Sequence, residues 1–278
     1  MKSSVEPRSV LFVPGNMPHL IRKCVRWHAD LVVVDLEDAV APDQKVIGRD
    51  AAAAAIAETV PTLASACFVR LNESAAPWHD EDVEMAASLD IAGVVLPKLE
   101  RPEELEQLRS TLADLGRADL EVIVGLESAL GVADSRLLLE AKPNAAYFGA
   151  EDLIADLGGR RTPSNEEVLY ARSTVAISAR ISGVYVIDQA VLDFGDDERF
   201  VRDAKQGQAL GYGGKICIHP RQVELSAAVY SVSPEAVAHA KRVLEAAAVG
   251  VATVDGQMVD EVHVKMARQV LARHHRDS

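Results

Sequence analysis

The chain has 278 residues, of which 49% are hydrophobic and 26% charged, and its formal net charge is −13 at pH 7. This composition is typical of a globular protein, and the negative charge argues against broad binding to nucleic acid or to anionic membranes. The length suits either two small domains or one α/β barrel, which commonly has about 250 residues.

The N-terminal stretch, MKSSVEPRSVLFVPG, has neither the apolar core nor the cleavage segment of a signal peptide. No stretch approaches the roughly 20 apolar residues of a membrane helix. The cysteines lie in apolar or helical contexts, which favours buried thiols over a zinc site: Cys24, Cys67 and Cys217. We therefore expect a cytoplasmic protein with no membrane partner, although an organelle matrix would fit as well.

Short and nearly continuous apolar runs alternate along the chain with longer, alanine-rich amphipathic segments. Runs of this length are typical of parallel strands that are buried on both faces. Eight strands are predicted, at residues 9–14, 31–36, 67–71, 92–97, 121–126, 145–149, 183–187 and 214–218. Helices are predicted between them, at residues 18–28, 43–58, 79–88, 101–114, 128–140, 164–181 and 197–210. This alternation favours a (β/α)8 TIM barrel, with a doubly wound open sheet as the alternative, because strand order is not visible in a sequence.

The pattern changes after the eighth predicted strand. Helices are predicted at residues 220–229 and 233–249, and VDGQMVD indicates a hairpin-like turn before a last helix at residues 261–274. We expect residues 1–230 to form the barrel domain. Residues 231–278 then form a C-terminal helical extension, packed on the barrel or on a neighbouring subunit.

Polar and charged residues follow nearly every predicted strand. The catalytic groups of barrels lie at the carboxyl ends of the strands and in the loops after them. A barrel that only had to be stable would have no reason to collect charges at one end, so this end is the candidate site. In chain order it carries Pro14, Gly15, Asp35, Glu37, Asp38, Arg70, Asn72, Lys98, Glu127, Glu151, Asp152, Asp188 and His219.

Glu127 and Asp152 follow the fifth and sixth predicted strands, and neighbouring strands lie about 4.8 Å apart. Two carboxylates and several waters suit Mg²⁺, which often keeps water ligands and binds substrate oxygens as well. The alternative is that these carboxylates cap helix N-termini. Their position beside Arg70 favours the metal site.

Three basic residues at the same end have open roles. Arg70 suits a substrate carboxylate, which a guanidinium binds through two hydrogen bonds, or an internal salt bridge to the acids after the second strand. Lys98 suits a Schiff base or a structural ion pair with acids such as Glu100. His219 suits a general base or a hydrogen-bonded structural residue. We favour substrate contact for Arg70 and the structural roles for Lys98 and His219.

Seven stretches occur in an order that is typical of one protein family: RSVLFVPGNMP, VVVDLEDAV, FVRLN, VVLPKLE, GLESALGV, FGAEDL and GKICIHPRQV. The chain thus resembles citrate lyase beta subunit-like proteins of the HpcH/HpaI aldolase superfamily, which includes malyl-CoA and citramalyl-CoA lyases. Each stretch is weak evidence alone, whereas the ordered set, from Arg8 to Gln222, is highly specific.

The resemblance implies a barrel, a divalent metal (Mg²⁺, with Mn²⁺ as the alternative) and reversible carbon–carbon cleavage of a 3-hydroxyacyl thioester. Glu127 and Asp152 match the metal-ligand positions, and Arg70 matches the arginine that binds the substrate carboxylate. Further residues expected to line the ligand are Pro14, Gly15, Gly149, Ala150 and Glu151. Residues expected to support Arg70 and the metal without touching the substrate are Glu37, Asp38 and Lys98, with Asp35 purely structural.

Relatives with lyase activity on CoA esters carry an aspartate in a C-terminal G-x-M-[IV]-D segment, which acts in the site of a neighbouring subunit. The stretch DGQMVDEV supplies Asp260 at this position. The resemblance therefore implies general acid/base catalysis by Asp260 and a homo-oligomer, a trimer or hexamer. The alternative is that Asp260 is the N-cap of the last helix.

Three positions depart from the family pattern. Met17 stands where relatives commonly have an arginine, Gln189 where a glycine is usual, and Val262 where a proline is common. The preferred acyl group is therefore open, as is its carrier, CoA or an acyl-carrier protein. Two other functions also stay open: an aldolase that acts on free 4-hydroxy-2-oxo acids, and a non-catalytic subunit that binds CoA or an acyl carrier in a larger complex.

Overall fold

Eight parallel strands form a closed barrel in the computed structural model, which describes residues 6–248 and 253–277. Each strand pairs with the next in the chain, and the eighth pairs with the first. The predicted (β/α)8 barrel is therefore confirmed, and the open-sheet alternative is wrong. The strands are β1 Ser9–Pro14, β2 Leu31–Asp35, β3 Ala66–Arg70, β4 Gly93–Leu96, β5 Glu121–Leu126, β6 Ala145–Phe148, β7 Tyr185–Asp188 and β8 Gly214–Cys217.

Helices follow the strands and cover the outside of the barrel, where they bury the outward-facing apolar side chains. They are α1 Pro18–Ile21, α2 Lys45–Thr59, α3 His79–Ala87, α4 Pro102–Asp114, α5 Ala129–Ala133, α6 Ser135–Glu140, α7 Ala150–Asp156, α8 Glu166–Ser182, α9 Asp197–Leu210 and α10 Pro220–Tyr230. Proline in the first turn begins α1 and α4, because its fixed φ suits that position and its missing N–H has no helical partner there.

Three segments differ from the predicted helices. The helix predicted at residues 18–28 is a single turn, α1, followed by a 3₁₀ turn at Cys24–Arg26. The helix predicted at residues 128–140 is interrupted at Asp134, where the backbone departs from helical geometry, so α5 and α6 are separate. The sequence pattern does not predict α7, because seven residues directly after a strand show too little periodicity.

The interior of the barrel is filled by apolar side chains from all eight strands. This cluster consists of Val10, Leu31, Val33, Phe68, Val95, Ile123, Ala145, Tyr147, Ile187 and Ile216. Large branched and aromatic side chains of this kind close a barrel to solvent. The interior is therefore a packed core, and ligands have access only at its ends.

Strand register places the first candidate site residues side by side. Pro14 at the end of β1 pairs with Asp35, and Asp35 pairs with Arg70 at the end of β3. At the opposite wall, Leu126 of β5 pairs with Phe148 of β6. Since the strands are parallel, these positions share the carboxyl end of the barrel.

The chain divides into two compact units, the first ending at Val229 and the second beginning at Tyr230. The second unit contains α11 Pro234–Ala248, a hairpin of β9 Thr253–Val254 and β10 Gln257–Met258, and α12 Glu261–Asp277. Its own small core is built from Ala240, Val243 and Ala267. Packing of this unit on a neighbouring subunit stays a prediction.

The cysteines agree with the prediction of buried free thiols: Cys24, Cys67 and Cys217 are all buried and unbonded. Burial raises the pKa of each thiol to about 12. These thiols therefore stay protonated and unreactive at neutral pH. Within the described part of the chain, no helix has the combination of length and hydropathy that crossing a bilayer requires.

Candidate active site

A cavity of about 590 Å³ opens at the carboxyl end of the barrel. One part of its wall is charged and comprises Asp35, Asp38, Arg70, Glu127, Glu151 and Asp152. Another part is apolar and includes Phe12, Val13, Ala155, Ala190, Leu192, Ile216 and Ile218. The predicted strand-end residues therefore meet around one space, although the sequence did not indicate its apolar wall.

Arg70 lies at the centre of the charged wall and is only 7% exposed. Its Nε and Nη2 donate to the two carboxylate oxygens of Asp35, at 2.8 and 2.6 Å. Its Nη1 lies 2.8 Å from Glu37 and 3.3 Å from Asp38. The internal salt bridges considered for Arg70 are thus present, while the guanidinium also lines the cavity.

Asp35 joins Arg70 to the loop that follows β2. Besides the guanidinium, its carboxylate accepts the backbone N–H groups of Glu37 at 2.9 Å and Ala39 at 3.2 Å. Burial alone would raise the pKa of Asp35, but the charge and hydrogen bonds of Arg70 outweigh it and lower this pKa. Asp35 is therefore ionised, and it fixes both the arginine and the two acids beyond it.

Glu37 lies between two cations and is 5% exposed. One oxygen is 2.8 Å from Arg70 and the other is 2.7 Å from Lys98. Burial raises the pKa of Glu37 to about 8 despite Arg70, and the nearby charges of Glu127 and Asp38 add to the rise. Glu37 thus binds the two cations to each other without reaching the cavity wall.

Lys98 connects both sides of the site. Its ammonium is 2.7 Å from Glu37, 3.7 Å from Asp38 and 3.5 Å from Asp152. Although burial lowers the pKa of Lys98, the hydrogen bond and charge of Glu37 outweigh it and raise this pKa well above its usual range. A lysine that stays protonated is a poor nucleophile, so the Schiff-base alternative is not supported. Its described ion pairs are with these three acids, so the structural ion-pair role favoured for Lys98 is present, with partners other than Glu100.

Glu127 extends from β5 into the cavity and is 2% exposed. Its Oε1 accepts the hydroxyl of Tyr147 at 2.6 Å and the backbone N–H of Lys98 at 2.9 Å. Lys98 reaches this position with a left-handed backbone, φ +50°, which costs free energy for a residue with a side chain. Burial raises the pKa of Glu127 to about 7, and the Asp152 charge contributes, although Arg70 opposes the rise.

Two glycines make room for the Glu127 carboxylate. A Cβ atom on Gly125 would lie 2.6 Å from Oε1, and one on Gly149 would lie 2.5 Å from the Glu127 Cβ. Real Cβ atoms essentially never approach other heavy atoms this closely. Only glycine at both positions is compatible with this placement of Glu127.

Asp152 is the third residue of α7, and its side chain is 32% exposed. The N-cap of α7 is Gly149, so Asp152 is not the capping residue, although it lies in the first turn, where a negative charge stabilises the helix N-terminus. Burial raises the pKa of Asp152, and the Asp38 charge adds to the rise, while Lys98 opposes it. Its carboxylate faces the same cavity as Glu127.

Glu127 and Asp152 fit a divalent cation that retains water ligands. The Asp152 charge raises the proton affinity of Glu127, and a cation between the two carboxylates would remove this repulsion. Residues 6–248 and 253–277 contain no cluster of three or more histidine, cysteine, aspartate or glutamate side chains arranged as metal ligands. An ion with few protein ligands, such as Mg²⁺, therefore suits this pair better than zinc.

The structure does not bring every predicted residue into the cavity. Gly15 is buried, its N–H donates to the Asp35 carbonyl at 2.8 Å, and it does not line the cavity, so its expected contact with the ligand stays a prediction. His219 is exposed, stacks on Phe194 with ring centres 5.2 Å apart, and does not line the cavity. Asp188 is fully buried against Arg172.

Tyr147 is the main site residue that sequence reasoning missed. It lies in the middle of β6, and its ring fills the barrel interior while its hydroxyl reaches Glu127. The alternation of side chains along a strand gives the signal, because Tyr147 faces inward while its neighbours Ala146 and Phe148 face outward. A tyrosine facing the interior needs a polar partner, and Glu127 at the carboxyl end of the neighbouring strand β5 provides it.

Asp260 lies in the second unit and has the geometry of an N-cap. Its Oδ1 accepts the backbone N–H groups of Val262 at 2.9 Å and His263 at 3.2 Å, at the start of α12. Its side chain is 57% exposed. The capping alternative is therefore present within one chain, and the catalytic role of Asp260 in a neighbouring subunit stays a prediction.

Comparison with known proteins agrees with this architecture. Residues 8–220 match the family model described as HpcH/HpaI aldolase/citrate lyase. The chain belongs to this family. It is an enzyme of a family of carbon–carbon lyases, as the sequence motifs predicted.

Curated members of the family align over nearly the whole chain. A citrate lyase subunit beta-like protein of Deinococcus radiodurans is 43% identical, covering 95% of this chain and 96% of the relative. A (3S)-malyl-CoA thioesterase of Cereibacter sphaeroides is 32% identical, covering 96% and 94%. The alignments thus include both the barrel and the C-terminal unit.

A solved structure of CitE from Mycobacterium tuberculosis, in complex with magnesium, acetoacetate and coenzyme A, has the same fold. It superimposes with a TM-score of 0.81 at 31% identity and covers 96% of this chain and 97% of that one. The citrate lyase beta subunit of the same organism, complexed with oxaloacetate and magnesium, gives a TM-score of 0.70 at 31% identity, covering 83% and 99%.

Proposed function

We propose that the chain is a metal-dependent lyase that cleaves a 3-hydroxyacyl thioester into a 2-oxo acid and an acyl thioester, or forms it by the reverse, Claisen-type condensation. Citramalyl-CoA, malyl-CoA and citryl thioesters are substrates of this class. The main support is that Arg70, Glu127 and Asp152 line one cavity. An arginine and a pair of carboxylates are what a 2-oxo acid and a divalent cation require.

Glu127 and Asp152 would hold Mg²⁺, with Mn²⁺ as the alternative. A bound ion would supply Lewis acidity and a template for the substrate carboxylate and its neighbouring oxygen. The magnesium in the related CitE structures with acetoacetate and with pyruvate supports this assignment. Tyr147 and the Lys98 N–H both donate to Oε1 of Glu127, so Oε2 would be the oxygen that binds the ion.

Arg70 would bind the carboxylate of the substrate. Asp35 occupies its Nε and Nη2 edge, so the ligand approaches the Nη1 side. Asp38 is half exposed and 3.3 Å from Nη1, whereas Glu37 is buried and 2.8 Å away. A substrate carboxylate would therefore displace Asp38, and Glu37 would stay in place.

In cleavage, the substrate hydroxyl loses a proton, the carbon–carbon bond breaks, and a 2-oxo acid and a thioester enolate form. The enolate then takes a proton at its α-carbon to give the acyl thioester. Asp260 of a neighbouring subunit would donate this proton and would remove it in the condensation direction. The resemblance of DGQMVDEV to the family segment supports this role.

Hydrolysis of the thioester is a second candidate function. The identity of 32% with a (3S)-malyl-CoA thioesterase, over 96% of this chain, favours it. Water would add to the thioester carbonyl, and the products would be a free acid and a free thiol. The two functions therefore differ in whether the thioester bond survives.

A screen of 3-hydroxyacyl-CoA esters with added Mg²⁺, with products identified by mass spectrometry, tests the proposal. We expect a 2-oxo acid and an intact acyl-CoA in equal amounts, and loss of turnover on chelation of the metal. The same screen should include free 4-hydroxy-2-oxo acids, because cleavage of these without CoA would indicate an aldolase instead. Release of free CoA would indicate the hydrolase.

Asp152→Ala should abolish turnover because it removes one of two expected ligands. Asp114→Ala is the matched control, since Asp114 is exposed at the end of α4. Equal turnover of the Asp152→Ala variant and the wild type would refute the metal assignment. Binding of CoA by a wild-type protein that turns over none of these compounds would indicate a non-catalytic subunit.

A further inference from the structure

The loop after α7 contains an arginine that reaches back to the first turn of that helix. The Nε of Arg161 donates to Glu151 at 2.8 Å, and its Nη1 donates to Glu167 of α8 at 2.5 Å. Its Nη2 lies 3.2 Å from Oδ1 of Asn165. The side chains of Arg161 and Glu167 are 18% and 17% exposed, whereas that of Glu151 is 40% exposed, so the pair with Glu167 is shielded from bulk water and the pair with Glu151 is partly open to it. Shielded ion pairs of arginine contribute more to positioning than exposed ones.

Gln189 extends this chain of contacts into the protein. Its Oε1 is 3.5 Å from Nη2 of Arg161, and its Nε2 donates to both carboxylate oxygens of Asp203, at 2.9 and 3.1 Å. Gln189 is fully buried directly after β7, and the next residue, Ala190, lines the cavity. The side chain thus connects a surface loop to the barrel wall.

Asp203 belongs to a rigid buried cluster. Its carboxylate is 2.9 Å from Lys215 and 3.3 Å from Arg172, and both of these cations have fully buried side chains. A network of this kind, in which every charge has a partner of opposite sign, keeps its geometry because any displacement exposes an unpaired charge to a low dielectric. Because Asp203 is held in place, the Gln189 side chain that donates to it is held in place as well.

The helix α7, which Arg161 contacts through Glu151, needs tertiary contacts to hold it in place. α7 has seven residues, and an isolated helix of that length is unstable in water. Glu151 and the proposed metal ligand Asp152 lie in its first turn, which lines the cavity together with Gly149 and Ala150. The position of this turn decides where the Asp152 carboxylate points.

We propose that Arg161 and Gln189 are positioning residues, which hold the first turn of α7, and through it Asp152, against the buried Asp203 cluster. Arg161 acts through Glu151, and Gln189 supports Arg161. This inference rests on the proposed function only in identifying Asp152 as a metal ligand. Gln189, which departs from the usual family pattern, thereby has a function in this chain.

Binding of Mn²⁺ to the full-length protein, measured by loss of the free-ion EPR signal, tests the proposal without turnover. We expect Arg161→Met to weaken Mn²⁺ binding by about 10-fold, because residues that orient a ligand typically contribute this much. The Mn²⁺ affinity of Arg161→Lys should lie between those of Arg161→Met and the wild type, since lysine keeps the charge but not the planar set of donors of arginine. In the lyase assay the same variants should raise the half-saturating Mg²⁺ concentration and KM more than they lower kcat.

A double-mutant cycle identifies the path. Glu151→Gln should weaken Mn²⁺ binding less than Arg161→Met does, and the double variant should bind no more weakly than Arg161→Met alone. Gln189→Ala should give a smaller loss in the same direction. Arg136→Gln is the matched control, because Arg136 is an exposed helical arginine paired with Glu140 on α6.

Unchanged Mn²⁺ binding in a folded Arg161→Met variant would overturn the proposal, as would additive losses from Arg161→Met and Glu151→Gln. If Arg161→Met does not fold, Arg161→Lys and Glu151→Gln provide the test by the same criteria. A wild type that binds Mn²⁺ and turns over no thioester would refute the proposed function and leave this inference in place. If the wild type turns over a thioester and every variant binds Mn²⁺ normally, the proposed function stands and this inference is refuted.

Discussion

At the scale of single residues, Arg70 is surrounded by more negative charge than it can neutralise, and Asp35 accounts for the strongest of its contacts. Breaking a buried ion pair by neutralising one partner leaves an uncompensated charge, which costs about 3–5 kcal/mol. Glu37 and Asp38 also contact Arg70, so the cost at this site should be at the lower end. Asp35 therefore stabilises the barrel as well as the site.

We expect Asp35→Asn to lower the free energy of unfolding by about 3 kcal/mol, measured by urea denaturation at pH 7. The variant also loses an acceptor for the N–H groups of Glu37 and Ala39. Asp43→Asn, at an exposed position beside α2, provides the control and should change stability little. A loss below roughly 0.5 kcal/mol for Asp35→Asn would show that the pair does not stabilise the fold.

Glu37→Gln should affect catalysis more than folding. The substitution keeps the shape of the side chain but replaces one of the two oxygens that contact Arg70 and Lys98 by an amide N–H₂ group, which is a donor. We expect kcat/KM to fall by about 10–100-fold, because this donor then faces one of the two cations and that cation shifts. Thermal unfolding monitored by circular dichroism should show a small change only. If the Glu37→Gln variant loses its folded structure as well as its activity, Glu37 has a structural role instead.

Much of the charged wall could be predicted from the sequence, because polar residues that follow apolar strands must gather at one end of a barrel. The partners of each charge could not be predicted in the same way. Lys98 contacts Glu37 and Asp152 from a residue with left-handed backbone geometry, which no sequence motif predicts. The contact of Tyr147 with Glu127 could not be predicted, because an aromatic residue within an apolar strand is typical of a core residue.

At the scale of elements, a buried ionic cluster joins β7, β8, α8 and α9. Arg172 of α8 and Lys215 of β8 both contact Asp188 of β7 and Asp203 of α9. Two anions and two cations balance within the cluster, so removal of any one charge exposes the others. This arrangement fixes the last quarter of the barrel and provides the anchor for the loop after α7.

The cluster should make the protein sensitive to acid. Burial alone would raise the pKa of Asp203, but Lys215 and Arg172 outweigh it and lower this pKa below its ordinary value of 3.8. Its stabilising contribution is therefore complete above that ordinary value and is lost as the pH falls through the lower, folded-state pKa. We expect the free energy of unfolding of Asp203→Asn to change less between pH 5 and pH 3 than that of the wild type. Parallel urea titrations measure both, and equal slopes would contradict this role.

The barrel could be predicted because the same pattern, an apolar strand followed in most cases by an amphipathic helix, occurs eight times along the chain. The sequence predicted the short elements less well, since α7 is fixed by tertiary contacts that its own residues do not encode. α5 and α6 were read as one helix because the local pattern is helical on both sides of Asp134. Longer helices with a continuous buried face, such as α8 and α9, were predicted to within about two residues.

At the scale of the whole molecule, the proposed chemistry requires residues from both compact units. The proposed metal ligands lie in the first unit, and Asp260 lies in the second. A sequence motif identifies Asp260, but no pattern within one chain tells which copy of the barrel it serves. That assignment depends on assembly, and it can be tested by mixing subunits.

Co-expression of Asp152→Ala and Asp260→Asn subunits should restore activity that neither variant has alone. If each site combines Asp152 of one subunit with Asp260 of another, random mixing gives roughly a quarter of the wild-type sites. The homomeric variants, purified in the same way, provide the background rates. Activity of the mixed oligomer no higher than that background would show that each chain supplies its own Asp260.

The two glycines beside Glu127 have a consequence for transplanting this site. A designer who moves Glu127 and Asp152 onto another (β/α)8 scaffold copies the donors but not the empty space around them. Because a Cβ atom at Gly125 or Gly149 would lie within 2.6 Å of an atom of Glu127, an alanine at either position in the new host would turn the glutamate away. The minimal transplantable unit is therefore four residues at the carboxyl ends of two adjacent strands and in the segments that follow them. In this unit the absence of two methyl groups is as necessary as the presence of two acids.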